Sequence, residues 1–240
     1  MESFALPNAK FSHVRCGDCP IREKAVCAYC DQSELQTLDS IKSYRDYAAG
    51  RELLAAGEES QVVGSIVRGM VKLTKTLSDG RTQMVGLLFP GDFVGHAMRA
   101  RAEYDAVAAT DVTLCQFHRK PFEQLLRSTP RLEERMLQMT LDELDAAREW
   151  LLLLGRKTAR EKLASFLLML ARRESSAGVR RDIAVELPLT RAEIAEYLGM
   201  TIETVSRQMT KLRADGVITF ESTRALKLPD LDMLTEEAGE

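Results

Sequence analysis

Residues 131–174, RLEERMLQMTLDELDAAREWLLLLGRKTAREKLASFLLMLARRE, contain no proline and a single glycine, Gly155. Strong helix formers fill the run, and nothing in it breaks a helix sharply. It predicts one long helix to about Leu154 and a second from about Lys157. The rest of the chain has to be organised on either side of that rod.

Upstream the texture is different. Between about residues 35 and 120, short apolar runs such as SIVRGMVKLTKTL and DVTLCQFH are divided by turn signals. Asp79-Gly80, between the runs ending at Leu77 and starting at Thr82, marks a hairpin. Gly69 and Pro90-Gly91-Asp92 mark further turns. Short strands so closely spaced predict a β-sandwich or barrel. Downstream, ESSAGVRRD reads as a loop, LTRAEIAEYLGMTIETVSRQMTKLRADG as two helices about a tight turn, and VITFESTRALKLPD as strands.

That helix pair carries specific chemistry. Thr190 and Glu193 form a capping box, Ile194, Ala195 and Leu198 share one face, and Gly199 can supply the positive φ that ends the first helix. Thr201 caps a second helix whose buried side holds Val205, Met209 and Leu212. Its other face carries Glu203, Thr204, Ser206, Arg207 and Lys211. Two short helices about a glycine turn, followed by a β-hairpin wing, suit the major groove of double-stranded DNA. Arg207 can grip guanine O6 and N7, and Glu203 can accept from cytosine N4, each pairing discriminating by roughly 1–3 kcal/mol. Ser206 and Thr204 can serve a base edge or a phosphate.

Charge supports the same segment. The net −3 divides into −3 over residues 1–154, +5 over 155–228 and −5 over 229–240. A basic module in an acidic chain implies a polyanionic partner for that module.

The long helix needs a partner for its apolar stripe. Leu137, Thr140, Leu144, Ala147, Leu151 and Leu154 advance by alternating threes and fours, the spacing of a coiled-coil seam. A second register, Leu132, Met136, Met139, Glu143, Ala146, Trp150 and Leu153, places a carboxylate in the seam, which is costly when unpaired. The first stripe is therefore expected to form a homodimer interface and the second to face the protein's own β-domain. A two-fold dimer would present two recognition helices about one turn of DNA apart.

Four of the five cysteines lie in CGDCPIREKAVCAYC, residues 16–30, and the fifth is Cys115. No apolar run reaches the roughly 18 residues of a membrane span. The start, MESFALPNAKFSHVR, has no secretory pattern, so a cytoplasmic location with reduced thiols is expected. The cysteines then read as metal ligands. Cys16, Cys19, Cys27 and Cys30 could hold a tetrahedral zinc. Alternatively Cys16, Cys19 and Cys27 could join Cys115 around an iron–sulfur cluster. Cys115 could also be a small buried strand residue.

Other classes find little support. No Gly-rich phosphate loop, nucleophile elbow, HExxH or convergent carboxylate pair points to an enzyme. A cyclic-nucleotide pocket needs an arginine beside a small hydroxyl residue. GDFVGHAMRARAEYDAVAATDVT has no Arg-Ser or Arg-Thr pair, and its Arg99 and Arg101 sit in a loop-like run. The histidines His13, His96 and His118 read as ordinary residues rather than haem ligands.

The cysteine-bearing N-terminus, a β-region with PGDFVG, the long helix, LLLLGRKTAREKLASFL, and the ETVSR of the recognition helix together resemble the CRP/FNR family of bacterial transcription regulators. The resemblance is closest to FNR-type oxygen sensors and covers essentially the whole chain. It implies an α+β fold with an N-terminal β-roll (cyclic-nucleotide-binding-like) domain, a long dimerisation helix and a C-terminal winged helix-turn-helix domain. The boundaries are a cluster-binding segment 1–34, a β-roll sensor 35–130, a dimerisation helix 131–155 and a DNA-binding domain 156–240.

The resemblance further implies an oxygen-labile [4Fe–4S] cluster on Cys16, Cys19, Cys27 and Cys115, with Cys30 as the spare or alternative third ligand. The cluster would promote dimerisation and binding to inverted half-sites resembling TTGAT–ATCAA, controlling anaerobic and photosynthetic genes. Glu203, Ser206 and Arg207 match the family's base-reading residues. The turn Ser78-Asp79-Gly80-Arg81 resembles its surface for RNA polymerase, whose sigma and alpha subunits are the implied partners. The family carries an aspartate in the seam near Ala147, and this chain does not, so its cluster-free dimer is expected to be less disfavoured. The runner-up is a regulator of the same architecture with a structural zinc and no oxygen response.

Overall fold

A computed structural model describes residues 14–174 and 179–240. The chain divides into two compact units, residues 1–75 with 87–143, and residues 76–86 with 144–240.

In the first unit, a 3-10 turn at Cys16–Asp18 and a succession of turns to Tyr29 lead into α1 (Gln32–Ile41). Asp31 and Glu34 close a reciprocal capping box at its start. Eight strands follow along the chain, β5 lying mostly in residues assigned to the second unit: β1 (Lys42–Tyr47), β2 (Glu52–Leu54), β3 (Val62–Arg68), β4 (Val71–Thr76), β5 (Thr82–Leu88), β6 (Phe93–Val94), β7 (Asp105–Ala108) and β8 (Val112–His118). They form two four-stranded sheets, ordered β1-β8-β3-β6 and β2-β7-β4-β5. Helix α2 (Arg119–Ser128) and the long α3 (Pro130–Arg156) come next. The expected hairpin is present, with Leu77 N–H donating to Arg81 O at 2.8 Å.

The first sheet is covered on both faces, and β8 shows how. Its Val112 and Leu114 point into a core shared with Leu54, Leu73 and Ala106 of the second sheet. Its Cys115 and Phe117 point the other way, into a core with Leu35 and Leu38 of α1, Phe122 of α2, Leu132 of α3 and the cysteine turns. Period-two alternation in a strand buried on both sides explains why VTLCQF reads as almost uninterruptedly apolar.

The second unit holds α4 (Ala159–Glu174), β9 (Arg181–Glu186), α5 (Arg191–Leu198), α6 (Ile202–Ala214), β10 (Thr219–Phe220), β11 (Ala225–Asp230) and α7 (Leu231–Ala238). Its sheet is ordered β10-β11-β9. Leu163, Phe166 and Leu167 of α4 are buried together with Ile194, Leu198, Val205, Met209 and Leu212 of the helix pair. Gly199 adopts φ +60°, ψ 44° at the turn, the left-handed geometry that glycine tolerates best.

Several elements differ from the sequence reading. Helices α1 and α2 lie within stretches read as cysteine loop or strands, because an adjacent sheet face gives their apolar sides somewhere to pack. The loop expected over residues 174–182 gives way to β9 at Arg181, while residues 175–178 lie outside the described residues. The acidic end is helix α7, and its charges pair with basic residues of the same unit. Arg160 binds Glu237, Arg172 and Lys157 bind Glu240, and Arg180 and Arg181 bind Asp232 and Asp230. Much of the apparent +5 is thereby neutralised internally.

Strands β3 and β8 approach unusually closely beside Cys115. A Cβ on Gly64 would stand 2.3 Å from Cys115 O. Gly64→Ala is therefore expected to destabilise the folded protein by about 1–3 kcal/mol through overpacking. Urea unfolding of the two proteins measures it, and an unchanged midpoint would mean the strands separate freely here.

Candidate functional site

Cys16, Cys19, Cys27 and Cys115 line one small cavity of about 20 Å³, enclosed by Ile21, Ala25, Val26, Leu38, Tyr44, Ser65 and Phe117. Cys30 is buried in the same core but does not line the cavity. All five cysteines are thiols without disulfide partners. Among the described residues, no three His, Cys, Asp or Glu side chains converge to share one metal ion.

The loop that carries the first four cysteines is held by its own backbone. Arg22 donates to Ala28 O at 2.7 Å and Cys30 O at 2.8 Å, which folds the seven residues between Cys19 and Cys27 back on themselves. At the entry, Cys16 N–H donates to Asp39 at 3.0 Å. Lys42 Nζ bonds Asp39 and Val14 O and lies 3.7 Å from Cys16 Sγ. Hydrogen bonding from Lys42 holds the Asp39 carboxyl below its usual range.

Burial pushes the Cys16 and Cys30 thiols up to about 12, against the lowering pull of Lys42 and Arg22 respectively. Burial also raises Cys27 and Cys115, and for Cys115 the nearby Cys16, Cys19 and Cys27 add to it. Four thiolates cannot share this pocket with nothing between them. A cationic group between them would reverse that logic by stabilising the ionised form. The donor set, four sulfurs in an apolar enclosure, thus fits an iron–sulfur group. As it stands the cavity holds about one water.

The same loop is fastened to α3. Arg135 donates to Lys24 O at 2.8 Å and Ala25 O at 3.4 Å, and its guanidinium sits 5.5 Å from the centre of the Tyr29 ring. Arg131 pairs with Asp31 at 2.6 Å. None of these partners was evident from spacing, because they are carbonyls and turn residues more than 95 positions from the helix in sequence.

Along α3, Leu132 is buried, Met136 and Met139 are half-buried, and Trp150 stacks on Tyr197 at 3.9 Å. Leu132, Met136 and Met139 thus meet the β-unit as expected of the second register, whereas Trp150 packs on α5 instead and Glu143 and Ala146 are exposed. Leu137, Leu141, Leu144, Leu151 and Leu152 are 45–69% exposed. The outward stripe thus contains Leu137, Leu144 and Leu151 as expected, and adds Leu141 and Leu152. Thr140 and Ala147 are also exposed. The Thr140 hydroxyl is turned onto its own helix at Met136 O, 2.9 Å away. Leu154 departs from the expectation: it is half-buried, and the Cβ position of Gly199 lies 3.7 Å from its Cδ2. The helix turns slightly less than a full turn per 3.5-residue step, which carries Leu154 out of the stripe.

On α6, Val205, Met209 and Leu212 are buried, and Glu203, Arg207 and Lys211 are exposed, with Thr204 and Ser206 half-buried. Thr201 caps the helix by accepting from Thr204 N–H at 3.2 Å, and Arg207 Nη2 reaches Thr204 Oγ1 at 3.4 Å. Hydrogen bonds from its own backbone and from Thr201 hold Glu203 below the usual carboxylate range. The ion pairs made with α7 do not use Arg207, Lys211 or Arg224. Arg224 lies exposed in the turn between β10 and β11, a position the sequence marks only as a base in a short polar turn.

The turn Ser78–Arg81 is exposed and held by the Arg81–Asp79 pair at 2.8 Å. Of the histidines, His13 lies outside the described residues, His96 packs on the Tyr104 ring at 5.4 Å and His118 is exposed. Among the described residues, no helix is long and apolar enough to cross a membrane.

Residues 44–129 match the cyclic nucleotide-binding domain family model, and residues 161–237 match the Crp-like helix-turn-helix domain model. The chain is 54% identical to the transcriptional activator protein FnrL of Cereibacter sphaeroides, over 94% of this chain and 92% of FnrL. It is 38% identical to the nitrogen fixation regulation protein FixK of Bradyrhizobium diazoefficiens, over 89% of this chain and 88% of FixK. Among solved structures, FixK2 from Bradyrhizobium japonicum superposes with a TM-score of 0.75 at 33% identity, covering 82% of this chain and 96% of FixK2.

The raised thiols give a direct test. In reduced, metal-free protein at pH 8, Cys16 and Cys30 are expected to alkylate at least about a hundredfold more slowly than a free thiol, because the thiolate is the nucleophile. Reactivity should climb only as pH rises toward 12. Site-resolved mass spectrometry after iodoacetamide reads this, and free-thiol rates would mean that the loop does not bury them.

Proposed function

The chain belongs to the CRP/FNR family of transcription regulators, and we propose that it is an oxygen-responsive member whose sensor is a [4Fe–4S] group on Cys16, Cys19, Cys27 and Cys115. It is a DNA-binding regulator of the FnrL/FixK type. The observation that carries the sensor reading is the cavity lined by three loop thiols and one thiol of β8, with Cys30 set aside. A zinc held by Cys16, Cys19, Cys27 and Cys30 would need Cys30 to turn toward the others and would leave Cys115 without a role.

When bound, the group supplies an oxygen-labile link between the cysteine loop and β8. The chain's own residues carry the state of that loop outward. Arg22 keeps the loop compact, and Arg135 and Arg131 bind its backbone and its exit to α3. The exposed leucine stripe of α3 pairs with the same stripe of a second copy. Arg148 lies on that face between Leu144 and Leu151, so the seam is only partly apolar and small shifts of α3 change its strength. Ala147 places no carboxylate at that seam position, which leaves the unlinked dimer less disfavoured than in relatives with an aspartate there.

A dimer presents two α6 helices to inverted half-sites resembling TTGAT–ATCAA, with Glu203, Ser206 and Arg207 at base edges and Thr201, Thr204 and Lys211 at base or phosphate. The exposed Ser78–Arg81 turn is the proposed polymerase contact.

Two measurements test this reading. Binding to a duplex with that inverted repeat should be tight under anaerobic conditions and weaken after exposure to air, and Arg207→Ala should cost about 5- to 150-fold at the cognate site. Air-insensitive binding would contradict the oxygen response. Arg135→Ala should retain the iron of the wild type but shift the anaerobic monomer–dimer equilibrium toward monomer, read by analytical ultracentrifugation. An unchanged equilibrium would remove Arg135 from the coupling.

A further inference from the structure

Ser65 is 2% exposed, and its hydroxyl is one of two buried side-chain polar atoms that find no hydrogen-bond partner among the described residues. It lines the cysteine cavity. On the sheet it stands directly opposite Cys115 from β3, as Tyr44 does from β1. Side chains directly opposite across an antiparallel ladder share a face, with Cβ atoms about 4.5–5.5 Å apart. An unsatisfied buried hydroxyl is costly, and it is retained where something absent from the bare chain completes it. The strand positions around it can hold apolar side chains, as Val63 and Val67 show on the same face two residues either way.

We propose that Ser65 is a positioning residue for the sensor, its hydroxyl donating a hydrogen bond to the ligand sulfur of Cys115. The inference rests on the iron–sulfur reading above. A metal-bound thiolate is a better acceptor than a thiol, so the bond forms in the loaded protein and is missing in the bare one. Hydrogen bonds to ligand sulfurs orient the ligand and tune the group's retention and potential. Tyr44 flanks the same sulfur from the other strand but has other interactions, so Ser65 is the donor held in reserve.

This assigns opposite signs to one substitution in two states. Ser65→Ala should leave the urea midpoint of the metal-free protein unchanged or higher, because it removes an unsatisfied hydroxyl. In the loaded protein, held strictly anaerobic, it should speed iron transfer to a ferrous chelator about fivefold, the scale of one lost hydrogen bond. It should also abolish part of the deuterium-sensitive shift of the iron–sulfur stretching bands. Ser65→Thr, which keeps the hydroxyl, should restore slow transfer. If wild-type protein loads iron and sulfide but Ser65→Ala matches it in both transfer rate and vibrational shift, Ser65 has no such role and the sensor reading stands. If the wild type takes up no iron and sulfide, both fall together. A metal-free Ser65→Ala protein that is clearly destabilised would also overturn the inference, since the hydroxyl would then be satisfied within the chain.

Discussion

Strand β8 lies in a sheet buried on both faces, and its alternation decides where everything around the cysteines can go. Leu114 must serve the core between the two sheets, so Cys115 must point to the other side. That side is not left to solvent. The turns from Cys16 to Cys30, α1, α2 and the first turns of α3 cover it, and they do so with apolar side chains such as Ile21, Val26, Leu38, Phe122 and Leu132. A one-residue slip of β8 would exchange the two faces and bury Cys115 among the leucines of the roll. The close approach at Gly64 and the paired partners Tyr44 and Ser65 hold the register against such a slip.

In the proposed function, the signal would leave the cysteine loop through direct contacts with α3 in the same unit. The loop over Cys115 accepts from Arg135 of α3 through the Lys24 and Ala25 carbonyls. Arginine suits that task because its planar fork binds two carbonyls while stacking on Tyr29. In the other unit, carboxylates between Asp230 and Glu240 pair with Lys157, Arg160, Arg172, Arg180 and Arg181. Arg207 and Lys211 of α6 and Arg224 of the β10–β11 turn take no part in those pairs. The net charge of a segment therefore overstates the polyanion signal, while the particular residues of α6 keep their exposed polar face.

The sequence made some of this legible and hid the rest for identifiable reasons. The Thr190–Glu193 capping box, the Asp79-Gly80 turn and the buried face of α6 are local, and local chemistry is enough to read them. A single glycine in a long run of helix formers marks the break between the two long helices, expected near Leu154 and Lys157 and found at Arg156 and Ala159. Helix α1 carries the Asp31–Glu34 signature too, but directly after the cysteine spacing, where the residues suit a loop equally well. The partnership of Cys115 with three of the four loop cysteines depends on strand register, which no local spacing encodes. Ser65, Tyr44, Lys42 and Arg135 were invisible for the same reason. Leu154 was misplaced because a strict three-four repeat drifts from the true helical period over four turns.

The central claim is that Cys16, Cys19, Cys27 and Cys115 act as one donor set and Cys30 stands outside it. The most direct test is iron, sulfide and zinc content of anaerobically purified wild type beside Cys27→Ala, Cys30→Ala and Cys115→Ala. The account expects about four irons and four sulfides per chain in the wild type and Cys30→Ala, and their loss from Cys27→Ala and Cys115→Ala. One zinc per chain that survives Cys115→Ala and disappears with Cys30→Ala would contradict it.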